Sequence, residues 1–112
     1  MDAGGENNLM TQLRRGMLPY CVLALLRDGE RYGVEIVRSL GTVEGMVTSE
    51  GTVYPMLGRL RRQGLVETYW QESPSGPPRR YYRITADGRR AVDTFAAEWR
   101  RVAGAVEHFL SL

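Results

Sequence analysis

Between Ser49 and Arg90 stand eight arginines, Arg59, Arg61, Arg62, Arg79, Arg80, Arg83, Arg89 and Arg90, against four acids, Glu50, Glu67, Glu72 and Asp87. No lysine is among them. A guanidinium is a planar fork that pairs with phosphates and with guanine edges, so this excess suits a nucleic-acid partner. GC-rich codon usage produces the same bias with no such purpose. The net charge of the whole chain is only +2. The distribution of charge, not its total, therefore carries the argument.

Other chemistry is missing. His108 is the one histidine and Cys21 the one cysteine. Such a pair cannot complete a zinc site within a chain, and no metal is expected. No Ser/His/Asp set, phosphate loop or dinucleotide glycine pattern is present. The sequence thus points to no catalytic residue, no cofactor and no enzyme. A lone cysteine forbids an intrachain disulfide and fits a reducing cytoplasm. The most apolar run, Met17 to Leu26, is too short to span a bilayer. Arg14 and Arg15 precede it as in a signal peptide, but Arg27-Asp28-Gly29-Glu30-Arg31 follows where a cleavage site would stand, so a buried helix is expected.

At 112 residues the chain makes one domain with a modest core. Met1 to Asn8 is small, polar and glycine-rich, and disorder is expected there. A helix can start near Leu9 and break at Gly16 to Pro19. A new helix then runs through Cys21, Val22, Leu25 and Leu26 to Asp28-Gly29. A second covers Tyr32 to Leu40 and buries Ile36, Val37 and Leu40. The stretch 48–84 reads as a cap (Thr48-Ser49), a helix (Glu50 to Gln63), a stop at Gly64 and a strand (Leu65 to Gln71). A Pro/Gly-rich tip (Glu72 to Pro78) and a second strand (Arg79 to Ile84) complete it. A short helix running straight into a two-stranded ribbon is the reading half of a winged helix. A plain hairpin with a solvated basic edge is the simpler alternative for the ribbon alone.

In the third helix, Val53, Met56, Leu57 and Leu60 share one face. Gly51, Pro55, Gly58 and Arg62 lie opposite, with Tyr54 and Arg61 on one flank and Thr52 and Arg59 on the other. Glycines cost an exposed helix roughly 1 kcal/mol each against alanine. A surface that must come close to a ligand explains them. Pro55 would clash with the carbonyl of flexible Gly51, so a tolerated local distortion is expected. Arg79 and Arg80 sit just past the tip, where a wing meets phosphates. Trp70 is expected in core or wing packing.

The last helix opens with Thr85 as N-cap and Asp87 in its first turn. Val92, Phe95, Trp99, Val102, Val106 and Phe109 then recur at spacings of three and four, the apolar seam of a coiled coil. That seam is expected to be a dimer interface, the alternative being that it packs back on its own domain.

The chain resembles the PadR family of transcriptional regulators, in particular short members that end after one C-terminal helix. Gly16-Met17-Leu18, Val22-Leu23-Ala24-Leu25-Leu26 and Tyr32-Gly33-Val34-Glu35-Ile36 carry the first part of the resemblance. Ser49-Glu50-Gly51-Thr52-Val53-Tyr54-Pro55, Arg59-Leu60, Gly64-Leu65-Val66, Arg80-Tyr81-Tyr82-Arg83-Ile84-Thr85 and Gly88 carry the rest. The resemblance implies a homodimeric, cytoplasmic repressor that binds an inverted repeat in double-stranded DNA. By position, Ser49, Thr52, Tyr54 and Arg59 match the family's recognition helix, and Arg80 and Tyr81 match its wing. Tyr32 is expected in core packing and Gly33 at a tight helix start. Some small family members take planar aromatic compounds between C-terminal helices, which makes Phe95 and Trp99 candidates for an effector site, with a plain interface anchor as the alternative for Trp99. The recognition helix lacks lysine and carries its charge as arginines in its second half.

The expected fold is mainly α with a small β-hairpin wing. Residues 1–8 are the disordered start, 9–84 the winged-helix DNA-binding domain and 85–112 the dimerisation helix. DNA contacts are expected from Ser49, Thr52, Tyr54, Arg59, Arg62, Arg79, Arg80 and Tyr81. No membrane partner is expected. The alternative is a winged-helix adaptor that binds protein and never DNA, because fold alone does not fix function.

Overall fold

In the computed structural model the backbone is described from residue 3 and side chains from residue 9. The elements run α1 (Ala3–Asp28), β1 (Arg31–Tyr32), α2 (Gly33–Leu40), α3 (Glu50–Arg62), β2 (Val66–Ser73), β3 (Gly76–Ile84) and α4 (Ala86–Leu110). Four helices therefore surround a small antiparallel sheet. The N-terminal side chains expected to be disordered lie outside the described residues. The backbone of α1 nevertheless begins at Ala3, earlier than the expected start near Leu9. Once a helix is nucleated, each added residue gains a hydrogen bond at little further cost.

The expected break at Gly16 to Pro19 is absent, since Pro19 lies inside α1. Leu18 before it, and Val22, Leu23 and Leu26 after it, are all buried in one core. That shared packing offsets the roughly 3 kcal/mol that an interior proline costs. Ile36 and Leu40 of α2 join them, with the whole expected stripe of α3, Val53, Met56, Leu57 and Leu60. Val66, Tyr82 and Ile84 close the core from the sheet, and Val92 from α4. The first turns of α4 thus belong to the same core as residues 9–84. No helix among the described residues is long and apolar enough to cross a membrane.

The ribbon is longer than expected and has a third strand. Strand order is β1-β3-β2, with Arg31 opposite Tyr82 and Tyr32 opposite Tyr81. Two residues are too few to leave a periodic signal in sequence. The expected tip shrinks to a turn at Pro74-Ser75, because Ser73 joins β2 and Gly76-Pro77-Pro78 joins β3. β1 flanks β3 only at Tyr81 and Tyr82, so the prolines stand where β3 has one neighbour and a free edge. A register shift between Gln71 and Ser73 faces them. Proline is tolerated at such edges and bulges because no ladder bond needs its missing N–H. Tyr32 is not in the core. It is half-buried on the outer face of the sheet, edge-on to Tyr81 at 5.5 Å.

The junction of α3, β2 and α4 is closely tied. Gly64, at φ +75°, lets the chain reverse after α3. The Leu65 N–H donates to Leu60 O at 2.9 Å and the Gly64 N–H to Arg61 O at 3.0 Å, the paired bonds of a Schellman stop. Thr85 then binds this turn twice, its N–H to Leu65 O at 3.1 Å and its hydroxyl to Gly64 O at 2.6 Å. Its Oγ1 also accepts the Gly88 N–H at 3.1 Å, the expected N-cap. Gly88 is buried beneath Leu65. A Cβ there would stand 2.7 Å from Ile84 Cγ1 and closer still to the Leu65 carbonyl oxygen.

Gly88→Ala therefore tests the junction. Helix propensity alone would stabilise the variant by about 1 kcal/mol. Overpacking against backbone is expected to outweigh that and destabilise it by about 2 kcal/mol net. Urea denaturation measures the difference. An unchanged or raised midpoint would mean that α4 does not lie against Leu65.

Candidate nucleic-acid interface

Helix α3 starts where Ser49 O accepts the N–H groups of Thr52 and Val53, both at 3.1 Å. The Ser49 hydroxyl lies 3.3 Å from that of Thr52 and makes no cap bond to backbone. With Val53, Met56, Leu57 and Leu60 buried, helical geometry leaves the ridge Gly51-Pro55-Gly58-Arg62 pointing outward. The helix carries Pro55 without a break. Gly51 has only the Ser49 hydroxyl oxygen, at 3.7 Å, near the place of a Cβ. That ridge is low enough for close approach by a ligand.

Two hollows flank the ridge. On one side Thr52, Pro55 and Arg59 of α3 face Arg14 and Arg15 of α1. The Arg14 guanidinium is anchored by a 2.7 Å bond to Val47 O. These two arginines read in the sequence only as the flank of a signal peptide, which misses their place beside α3. The signal was there, but only if α1 ran unbroken through Pro19 and so brought them beside α3.

On the other side Tyr54 lies among Gly33, Val34, Arg79 and Arg80. A Cβ on Gly33 would meet Tyr54 Oη at 3.0 Å and Cε1 closer still. Gly33 is thus more than a tight helix start, because it is the seat of the Tyr54 ring. The Tyr32 N–H above it donates to Glu35 Oε1 at 3.2 Å. Burial first, then nearby Glu50, holds the Tyr54 phenol above the ordinary tyrosine range. It stays a neutral O–H donor.

The arginines divide into two sets. Arg27 pairs with Asp93 at 2.7 Å, Arg31 with Asp28 at 3.2 Å and Arg101 with Glu98 at 3.5 Å. Arg90 pairs with Asp87, and Arg83 lies between Glu67 at 2.9 Å and Glu30 at 3.8 Å. Among the described residues, Arg59, Arg61, Arg62, Arg79 and Arg80 have no such acid partner. The unneutralised charge of α3 and the ribbon therefore falls on Arg59, Arg62, Arg79 and Arg80, the arginines singled out from sequence, and on Arg61, while Arg83 is paired.

The expected wing trio does not share one face of the ribbon, because side chains alternate along β3, although Arg79 and Arg80 both border the Tyr54 hollow. Arg79 stacks over the Tyr32 ring at 4.5 Å. Tyr81, on the same face, is locked against Tyr69 at 5.6 Å. The Tyr69 hydroxyl in turn donates to Glu30, which holds its phenol above the ordinary range. Arg80 points the other way, toward the helices, and covers the Trp70 ring at 5.5 Å. Trp70 itself is 66% exposed, so of the expected core or wing packing it has the wing packing, against Arg80, and not the core. It lies on the core-side face but beyond the reach of the core.

The α4 seam divides as well. Val92 is buried within its own chain, and Phe95 stacks flat on Tyr20 at 4.3 Å and 4°. Trp99 continues the stack at 6.1 Å from Phe95. The expected interface is thereby shortened, since these first turns pack back on α1. Trp99, Val102, Val106 and Phe109 remain exposed. Cys21 beneath the stack is half-buried, and burial pushes its thiol up, away from reactive thiolate. Among the described residues no group of His, Cys, Asp or Glu could hold a metal ion.

Comparison with known proteins agrees with this geometry. A PadR-family transcriptional regulator from Eggerthella lenta is 36% identical with a TM-score of 0.82, covering 93% of this chain and 90% of that one. A PadR-like regulator from Bacillus cereus is 33% identical with a TM-score of 0.81, covering 88% and 96%. A transcriptional regulator of Mycobacterium tuberculosis is 34% identical over 83 residues, which are 74% of this chain and 76% of that protein. Residues 22–94 match the model of the transcriptional regulator PadR-like family. That match spans more than half of the chain, which therefore belongs to this family of transcriptional regulators and is not an enzyme.

Proposed function

We propose that the protein is a homodimeric, cytoplasmic repressor that binds an inverted repeat in double-stranded DNA. The observation that carries this reading is the set of arginines without acid partners on α3 and β3. They lie beside the low ridge Gly51-Pro55-Gly58-Arg62, with Arg14 and Arg15 of α1 bordering the same helix, while Arg27, Arg31, Arg83, Arg90 and Arg101 are neutralised by pairing. In this reading α3 enters the major groove with Ser49, Thr52, Tyr54, Arg59 and Arg62. Arg79 and Arg80 meet the flanking backbone. Tyr81 supports them through its ring packing. Trp99, Val102, Val106 and Phe109 offer α4 a partner helix from a second copy. The free face of Trp99, at the end of the Tyr20–Phe95–Trp99 stack, is where a planar aromatic effector would add a further ring.

The direct test is fluorescence anisotropy with DNA from upstream of the protein's own gene, or selected from a genomic library, against scrambled DNA at two salt concentrations. Selective binding that weakens steeply with salt is expected. Absence of binding at low salt would favour the protein-binding adaptor.

Arg59→Ala and Tyr54→Ala should each weaken operator binding by about 1–3 kcal/mol without unfolding the protein. If both bind as the parent does, α3 is not the reading helix. Gly33→Ala should also weaken binding, by displacing the Tyr54 ring. In a Tyr54→Ala background the same change should have almost no effect, and additive losses would refute that coupling. Trp99→Asp should convert dimer to monomer in sedimentation. An unchanged mass would rule out the α4 seam.

A further inference from the structure

Trp70 has no role in anything derived so far. It is the larger of two exposed tryptophan surfaces and stands alone on the wing, 66% exposed. Its setting is specific. Trp70 and Arg80 are direct partners across β2 and β3. Alternation places both on the face that carries Val66, Tyr82 and Ile84 into the core. The wing therefore projects past the core with an indole on its helix side. Arg80 borders the same hollow as Tyr54 of α3. Recognition helix and indole thus share one side of the molecule.

The charge there fits one kind of occupant. Arg80 lies over the indole, which holds the ring in place through cation–π attraction. The Arg80 Nε is buried with no hydrogen-bond partner in the protein. Neither Arg79 nor Arg80 has an acid partner among the described residues, whereas Arg83, farther from the tip, is held by Glu67 and Glu30. Glu72 stands next along β2, past the start of the register shift, and no ion pair ties it to either arginine. Positive charge beside an aromatic face is the chemistry of a polyanion that also offers flat or apolar surfaces. DNA has both, in phosphates and in sugars and base edges.

We infer that the Trp70–Arg80 pair is the wing's contact with DNA, the indole lying against a sugar or base edge beside the operator while Arg80 meets the adjoining phosphate. This rests on the DNA-binding reading above and deepens it. Sequence preference outside the α3 footprint would come from how readily the flanking DNA admits the ring.

The test uses the full-length protein and the tightest-binding duplex found for the parent. Trp70→Ala should weaken binding about tenfold, and Trp70→Phe by much less. Because the ring is exposed, the melting temperature of both should stay near that of the parent. The chain has two tryptophans. The emission that the parent has and Trp70→Phe lacks is therefore that of Trp70, and adding duplex should quench it and protect it from iodide. Parent-like binding by Trp70→Ala overturns the inference and leaves DNA binding intact. Weakened binding with unchanged Trp70 emission also overturns it, because the ring would then only support Arg80. If Trp70→Ala loses self-association, the face joins two copies and the DNA contact is refuted. If the parent binds no duplex even at low salt, the DNA-binding reading fails, and this inference falls with it.

Discussion

The Leu65 carbonyl oxygen organises this molecule. It accepts the Thr85 N–H and lies so near Gly88 that no side chain fits between. The Thr85 hydroxyl adds a bond to Gly64 O, one residue earlier. Three elements meet there: the end of α3, the start of β2 and the start of α4. The Schellman stop fixes how α3 turns into β2, and the N-cap fixes where α4 leaves β3. The angle between α3, the wing and α4 is thus set at one point. A buried backbone carbonyl must be satisfied, so this junction cannot loosen without cost. Tyr54 depends on a second close approach, to Gly33, which sets α2 against α3.

Pairing, not abundance, gives the arginines their roles. Positive and negative side chains nearly balance over the chain, leaving a net charge of +2. Exposed ion pairs contribute little to stability, typically about 0–1 kcal/mol. Their larger effect here is to remove charge from places where it is not needed. Arg27 and Asp93 link α1 to α4, and Arg83 joins Glu30 and Glu67 across the sheet. Along α3 and the wing, Arg59, Arg61, Arg62, Arg79 and Arg80 stay unneutralised among the described residues, with Arg14 and Arg15 beside them. A polyanion approaching the molecule meets that strip rather than a uniform surface.

Much of this was legible in the sequence because it is local. The α3 stripe, the Gly64 stop and the Thr85 cap each follow from residues a few positions apart. What was missed depends on distance. β1 has two residues and exists only because β3 pairs with it. Pro77 and Pro78 look like strand breakers until the free edge of β3 is known. Pro19 looks like a helix end until burial on both sides of it is known. Gly33 and Gly88 were legible as motif members, but their reason is tertiary: an aromatic ring in one case and a carbonyl in the other. For Trp70 the choice between core and wing packing stayed open, because alternation gives its face, not how far the core extends beneath that face.

The divided seam of α4 ties its exposed half to the rest of the domain. Tyr20, Phe95 and Trp99 form one stack that joins the core side of α1 to the exposed side of α4. Tyr20 lies two residues from Val22, which is fully buried. A ring that tilts Trp99 therefore presses on α1 through flat contacts rather than through a flexible linker. α1 also lines the Arg14–Arg59 hollow beside α3. The exposed face of Trp99 and the Arg14–Arg59 hollow are two ends of a continuous packed path. Packing alone transmits a signal only if it has two arrangements. On this chain two arrangements would have to differ at the contact between α1 and α4, because the Leu65 junction fixes the start of α4 and its turns from Trp99 onward are exposed.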